Sequence, residues 1–401
     1  MEKHRIYFDN NSTTPVDPRV VDMMLPYFTE KPGNANSRSH PFGWEATAAV
    51  EEATSRLSEL LRIKEEELVF TSGATESLNL ALKGLAEIWE GQKNHIITCS
   101  TEHPAVLDTC SYLEKKGLQI TYLKVDSKGH IDLNEMEDAI RDTTICVALM
   151  WANNETGVIH PVVDIGKICR RKNVFFVCDA TQAVGKIPVH PKEADIDLMA
   201  FSGHKFYGPK GVGGLYMSSD KPRPRIKAQI HGGGHQNDLR SGTLNVPGIV
   251  GMGKAAALAS LEMRDEYIRI KGLRDQLENL LLENIESTSV NGDDYHRLPH
   301  VCNLCFKYVE GEQLMVNINS LVAVSSGSAC TSANPDPSHV LLALGLSEGD
   351  AKASIRLSLG RFSLQEDIIP VFDIMKTEIE KLREESPVWQ MFKDGVDLEK
   401  F

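Results

Sequence analysis

The stretch Ser202-Gly203-His204-Lys205-Phe206-Tyr207-Gly208-Pro209-Lys210-Gly211 decides how the chain is read. Before it, Asp197-Leu198-Met199-Ala200-Phe201 is a short, mostly apolar run that predicts a strand ending in this turn. After it, Gly208, Gly211, Gly213 and Gly214 make a loop too flexible for a helix, and Leu215-Tyr216-Met217 predicts a second strand. A lysine among small and aromatic neighbours just past a buried strand is placed to lose its charge. Desolvation lowers its pKa, and a neutral amine condenses with an aldehyde to an imine. Ser202 and His204 beside it are hydrogen-bond donors suited to a phosphate. A lone loop lysine is more often solvated than reactive, so the weight falls on what stands at neighbouring strand ends.

Working outward, strand and helix patterns alternate from Glu67 onward. Candidate strands are 68–70, 95–99, 119–124, 145–151, 174–178 and 198–201, with helical stretches at 76–89, 105–116, 134–141 and 165–172. Such alternation implies βαβ units and a mostly parallel sheet with helices on both faces, and ligands in these sheets sit at the carboxyl ends of the strands. Helices are also expected at 19–28 and 44–61. An irregular arm (7–15) and a polar turn-rich loop (32–40) flank the first of them.

With 401 residues, the chain is long enough for two domains. A hydrophobic share of 41% and a charged share of 25% fit an ordinary globular protein, and the net charge of −13 argues against nucleic acid or an anionic membrane as partner. No apolar run is long enough to span a bilayer, and Met1-Glu2-Lys3-His4-Arg5 lacks the apolar core of a signal peptide, so a cytoplasmic location is expected. The eight cysteines are scattered, most within apolar runs, which fits reduced thiols better than a disulfide framework.

The expected strand ends carry the chemistry. Past Phe70, Thr71-Ser72-Gly73-Ala74-Thr75-Glu76-Ser77 is a small-residue turn entering a helix. Its backbone N–H groups and the Thr75 hydroxyl suit a phosphate, the bland alternative being an ordinary helix start. Past Cys99, His103 precedes a helix that opens on Pro104, where it can cap the helix or stack on a planar ring and relay protons. Past Trp151, Ala152-Asn153-Asn154-Glu155-Thr156-Gly157 is turn-like. Past Cys178, Asp179 ends an all-apolar strand and needs a partner, which a protonated pyridine nitrogen supplies; Gln182 can reach the phenolic oxygen of the same ring. Phosphate cradle, stacking histidine, ring-nitrogen carboxylate and aldehyde-binding lysine together match one cofactor, pyridoxal 5′-phosphate (PLP).

These motifs resemble the class V aminotransferase group of fold-type I PLP enzymes, and within it the cysteine desulfurases of the IscS/NifS type. The narrower likeness comes from Gly232-Gly233-Gly234 with Arg240-Ser241-Gly242-Thr243, and from Ser325-Ser326-Gly327-Ser328-Ala329-Cys330-Thr331-Ser332. The resemblance runs from Tyr7 to the C-terminal tail. It implies an α/β, fold-type I transferase: a large PLP-binding domain (15–260) and a small α/β domain made of 1–14 and 261–401, with a charged helix near Leu261 to Asn284. It implies Lys205 as the Schiff-base lysine, Asp179 on the pyridinium and Gln182 on the phenolic oxygen. His103 stacks on the ring, Asn154 lies near it, and Ala74, Thr75, Ser202 and His204 hold the phosphate. Thr243 completes the phosphate site from the other subunit of a homodimer. Arg356 takes the substrate carboxylate as a bidentate pair, helped by Asn34. Where the family usually carries Gln-Glu between Gly234 and Arg240, this chain reads His235-Gln236-Asn237-Asp238, which bears on the inter-subunit loop.

Cys330 stands in a run of small polar residues that supports no stable helix, so its thiol is accessible. In the PLP setting it becomes the nucleophile that takes sulfur from L-cysteine as a persulfide and releases L-alanine. The resemblance further implies an IscU-like iron–sulfur scaffold as sulfur acceptor, with Cys330 as a transient [2Fe–2S] ligand. Alternatives are a selenocysteine lyase, an aminotransferase (which needs no cysteine there) and a sulfur-transfer scaffold with a vestigial PLP site. Cys302 and Cys305 have Cys-x-x-Cys spacing but lie in a predicted strand, where residues three apart point to opposite faces and cannot chelate together. Trp389, Met391 and Phe392, beyond the last core helix, mark either a partner surface or a tail packed back on the domain.

Overall fold

The structure, a computed structural model, describes residues 5–220, 222–326 and 336–396. A seven-stranded sheet forms the larger half, in the order β2-β8-β7-β6-β5-β3-β4. Its strands are β2 (Leu68–Thr71), β3 (His95–Cys99), β4 (Gln119–Leu123), β5 (Thr144–Met150), β6 (Phe175–Asp179), β7 (Leu198–Ser202) and β8 (Gly213–Met217). Only β8 runs antiparallel, against both β2 and β7. The hairpin between β7 and β8 is the turn that holds Lys205. A separate strand β1 (Ile6–Tyr7) pairs with β11 (Val322–Ala323), and β9 (Thr288–Val290), β10 (Val301–Phe306) and β12 (Ser354–Ser358) form a three-stranded antiparallel sheet.

The helices are α1 (Pro18–Met24), α2 (Pro26–Thr29), α3 (Pro41–Leu61), α4 (Ala74–Ile88), α5 (Pro104–Lys115), α6 (Leu133–Ala139), α7 (Val162–Lys172), α8 (Val246–Asn284), α9 (Gly311–Ile318), α10 (His339–Ala343), α11 (Glu348–Lys352), α12 (Ile368–Glu384) and α13 (Pro387–Lys393). None is long and apolar enough to cross a membrane.

The continuous apolar runs of the central strands follow from burial on both faces. Strand alternation divides them: Val147, Leu149, Phe176 and Cys178 enter one core with α3, α7 and the start of α8. Cys146, Ala148, Phe175 and Val177 enter the opposite core with α4 and α5. Each buried Val, Leu or Phe among them contributes about 2 kcal/mol. A third core unites β1, β10, β12, α9, α12 and the second half of α8.

Helix α8 is the main departure from expectation. The sequence predicts a helix near Leu261, but a single helix of 39 residues starts at Val246. Asn245 caps it, its side chain accepting from Gly248 N, and Pro247 occupies the first turn. Its first half is rich in glycine, which lowers helix propensity and hides the helix from a sequence reading. Packing explains the composition: a Cβ on Gly253 meets the Cα of Ala53 in α3 at 2.5 Å. The helix crosses position 260 unbroken, contributing side chains from Ile249 to Leu258 to one core and from Ile270 to Leu281 to another.

The seven described cysteines are buried and free. Cys302 and Cys305 both lie in β10, and among the described residues no cluster of three or more metal-ligating side chains occurs. The tail packs back: Trp389 and Phe392 stack on each other with centroids 5.3 Å apart, Phe392 stacks on Tyr308 at 4.7 Å, and Arg383 lies over the Trp389 ring. Val388 and Met391 on the same helix stay exposed.

Candidate functional site

A cavity of about 550 Å³ opens at the carboxyl ends of β5, β6 and β7, between the sheet and β12. At one end α4 begins. Thr71 Oγ1 accepts from Gly73 N at 3.3 Å, and Glu76 accepts from Ser72 N at 2.7 Å, so the turn after β2 is tied to the helix it enters. Strand β8 comes so close that a Cβ on Gly213 falls 2.6 Å from the Gly73 Cα. The first-turn N–H groups of α4 have no acceptor within the helix, and Ala74 and Thr75 line the cavity. Ser202 and His204 line it as well. Burial, reinforced by Lys205, lowers the His204 pKa to about 4, leaving a neutral ring whose Nδ1 lies 3.1 Å from Thr13 Oγ1.

At the other end Asp179 closes β6 and accepts from Thr181 N at 2.9 Å. Gln182 lies one turn on, its Nε2 donating to Asn11 O at 3.0 Å. His103 caps α5: its Nδ1 accepts from Ala105 N at 3.0 Å, which puts the proton of the neutral ring on Nε2. Burial holds its pKa below the usual histidine range against an opposing pull from Asp179. Between the two ends Lys205 Nζ donates to Asn11 O at 2.5 Å and Ser12 O at 2.8 Å.

Arg356, in the middle of β12, is buried and donates to Asp9 Oδ1 (2.9 Å), Ser12 Oγ (2.8 Å) and Asn154 O (2.9 Å). Its Nε and the Oδ1 of Asn154 are buried with no hydrogen-bond partner among the described residues, a donor and an acceptor on residues lining one cavity. Such atoms cost about 1–3 kcal/mol each unless a ligand or water meets them.

The chain thus brings together Ala74, Thr75, His103, Asn154, Asp179, Gln182, Ser202, His204, Lys205 and Arg356. It does not bring Asn34 or Thr243. Both are exposed and off the cavity wall, Asn34 accepting from Asn36 N within its own loop. Cys330 lies outside the described residues. The loop with Thr243 is nonetheless tethered near the cradle, since Arg240 pairs with Glu76 at 2.7 Å.

The unusual His235-Gln236-Asn237-Asp238 run has a visible role. Three left-handed residues in succession (Gln236, Asn237 and Asp238) turn the chain so that the Gln236 amide meets both backbone groups of Phe70, accepting from N at 2.6 Å and donating to O at 2.9 Å. Gln236 therefore stands where a further strand would pair with the edge strand β2.

Sequence reasoning missed Asn11, Ser12 and Thr13, which line the cavity and receive Lys205 and His204. It also passed over Glu155, Lys186 and His300. The density of small hydrogen-bonding side chains from Asp9 to Thr14 was the available signal.

Comparison with known proteins agrees with this geometry. The family model described as aminotransferase class-V matches residues 6–371. A protein named cysteine desulfurase IscS from Anaeromyxobacter dehalogenans (strain 2CP-C) is 51% identical over 393 residues, covering 98% of this chain and 97% of that protein. Its namesake from Pasteurella multocida (strain Pm70) is 52% identical over 395 residues, with the same two coverages. Among solved structures, one titled NifS-like protein superposes with a TM-score of 0.88 at 37% identity, covering 94% of this chain and 100% of the other. The structure titled SspA in complex with cysteine gives 0.78 at 34% identity, covering 90% and 100%. A lysine turn, a helix-start cradle and a strand-end aspartate on one parallel sheet, matched almost end to end by these relatives, place the chain in the class-V aminotransferase family.

Proposed function

We propose that this protein is a PLP-dependent cysteine desulfurase that converts L-cysteine to L-alanine and collects the sulfur on Cys330. The observation that carries the reading is the convergence of Lys205, Asp179, His103 and Arg356 on one cavity, in a chain about half identical to proteins of that named activity. The cavity fits the cofactor by its donor set. The α4 start, Thr75, Ser202 and His204 suit a phosphate. The Asp179 carboxylate suits a protonated ring nitrogen, and the orphaned Asn154 Oδ1 and Arg356 Nε await a polar ligand. Bound there, PLP supplies an electron sink for carbanion chemistry at the amino acid α-carbon.

The protein's side chains divide the remaining work. Arg356 holds the substrate carboxylate while Asn154 lies near the cofactor, and Asp9 and Ser12 hold the Arg356 guanidinium in place. The Lys205 amine anchors the cofactor and then carries the α-proton, its position set by the carbonyls of Asn11 and Ser12. His103, its proton on Nε2, would stack on the ring of a bound cofactor. Asp179 would keep a bound pyridine ring protonated, and Gln182 would take its phenolic oxygen. The Cys330 thiolate attacks the substrate sulfur. An S–S bond forms as the C–S bond breaks, and that bond's electron pair stays with the carbon fragment, which takes up protons and leaves as alanine.

Further parts of the reading rest on family likeness. The large domain spans 15–260, and the small domain comprises 1–14 and 261–401. A homodimer brings Thr243 of each chain to the site of the other, consistent with its exposure here and with the Arg240–Glu76 tether, and Asn34 helps Arg356 with the substrate carboxylate. The acceptor is an IscU-like scaffold for iron–sulfur assembly in the cytoplasm, with Cys330 as a transient [2Fe–2S] ligand. The decisive experiment supplies cysteine to the purified, PLP-loaded protein and measures alanine, protein-bound persulfide and the visible spectrum together. Wild type should be yellow and form alanine. Lys205→Ala should lose covalent PLP and turnover. A wild type that stays colourless and inactive when PLP is supplied overturns the reading.

A further inference from the structure

Behind the cavity lies a buried polar group to which the reaction above gives no task. Lys186, one helical turn after Gln182, points its Nζ at Gln182 Oε1 (2.9 Å), His300 Nε2 (3.0 Å) and Asn11 Oδ1 (3.4 Å). All four residues are buried. They come from different parts of the fold: Asn11 from the arm, Gln182 and Lys186 from the turn after β6, and His300 from the residue before β10.

The donors and acceptors admit one arrangement. Asn11 Nδ2 donates to Asn154 O at 3.0 Å, which leaves Asn11 Oδ1 as the acceptor facing His300. His300 Nε2, 2.7 Å from that oxygen, must then carry a hydrogen. Its N–H is shared with the lone pair of a neutral Lys186 amine, whose two hydrogens go to Gln182 Oε1 and Asn11 Oδ1. Lysine nitrogen offers Gln182 only donors in this geometry, so the Gln182 carbonyl faces Lys186. The Gln182 amide N–H consequently points the other way, to Asn11 O beside Lys205 Nζ. The charges reaching this group are Lys205 and Arg356 at Lys186, and Arg274 and Arg356 at His300; with burial they hold Lys186 and His300 well below their usual pKa values.

We propose that Lys186, backed by His300 and Asn11, is a positioning residue that fixes the Gln182 carboxamide with its N–H rather than its carbonyl toward the cofactor's phenolic oxygen. The proposal rests on the reading of Gln182 given above. An amide that is free to flip presents its carbonyl to that oxygen part of the time, exchanging an attractive contact for a repulsive one. Lys186 removes that option without touching the cofactor.

The test uses full-length, PLP-loaded protein and reads the midpoint of the pH titration of the cofactor's visible absorption. Lys186→Met keeps length and removes every donor. It should move the midpoint in the same direction as Gln182→Ala, by about half a pH unit or more, as expected for one lost neutral hydrogen bond. The double variant should move it no further than Gln182→Ala alone. Lys186→Gln, which restores an N–H donor, should return the midpoint toward wild type. A wild-type midpoint in Lys186→Met with only a lower melting temperature shows a structural lysine and overturns the proposal, as do additive shifts. If Gln182→Ala itself leaves the midpoint unmoved, the reading of Gln182 fails, and the proposal with it. Should Lys186→Met not fold, Gln182→Glu decides: over a Lys186 donor the carboxylate pairs with an ammonium, so this variant should be at least as stable as Gln182→Ala. A markedly less stable Gln182→Glu overturns the proposal.

Discussion

Lys205 and Cys330 divide the proposed reaction between an amine and a thiol, so their variants should fail at different points. Cys330→Ser should bind cysteine with the wild-type change in visible spectrum, because that step needs only Lys205 and the cofactor, yet form no persulfide. Mass spectrometry of the treated protein checks this, and persulfide on another cysteine with full alanine output overturns the assignment. The seven described cysteines make poor substitutes, since burial raises their thiol pKa values, to about 11 for Cys99 and Cys305. Asp197, at the start of β7 and away from the cavity, gives a pH signature instead. Burial raises its carboxyl from 3.8 to about 6, although it accepts from Phe176 N at 2.8 Å. A carboxyl whose pKa rises on folding gives stability that is complete below the unfolded value and is lost as pH climbs through the folded one. Wild type should therefore lose up to about 3 kcal/mol between pH 4 and 6.5 through this group, and Asp197→Asn should flatten that decline in urea titrations. Residues that end apolar strands, such as Asp179, were legible because a buried acid demands a partner. Lys186 was not, since nothing in its local sequence separates a buried lysine from a solvated one.

Among the elements, the central strands and their helices were legible from alternation and from long apolar runs, and the structure follows them closely. Helix α8 was read short because its glycines suit α3 packing at the expense of helix propensity. The Gln236 contact with β2 was invisible, because a side chain pairing with a strand edge leaves no periodic trace. Helix α13 lies between two readings of the tail. Its Phe392 stacks on Tyr308 and its Trp389 packs tilted against the same ring, while Val388 and Met391 stay exposed. Deleting residues 387–401 should therefore cost stability, about 2 kcal/mol from three ring contacts, and, on the proposed function, also weaken binding of the proposed iron–sulfur scaffold. Titration calorimetry beside thermal melts separates the effects: lower stability with unchanged affinity means that the tail only packs.

At the scale of the whole molecule, Arg361 is a principal tie between the halves. Its guanidinium pairs with Asp17 at 2.7 Å, hydrogen-bonds Glu266 of α8 and lies 4.3 Å over the Tyr207 ring, while its backbone N donates to Tyr207 OH at 2.7 Å. Asp17 is held well below the usual carboxylate range by its arginine bonds, so its charge depends on them. Arg361→Met removes the partner of half-buried Glu266 and one of the two arginines on Asp17, which keeps Arg19, and should cost about 1–3 kcal/mol, measured by chemical denaturation. Helix α8 joins the halves in a second way. At 1.5 Å per residue its 39 residues make a rod about 58 Å long, anchored by side chains in separate cores. Two domains linked by a flexible tether can melt one after the other. Here the collapse of either core strips one end of a shared rod and removes the packing that the other end relies on, so calorimetry should record a single heat-absorption peak for the entire chain.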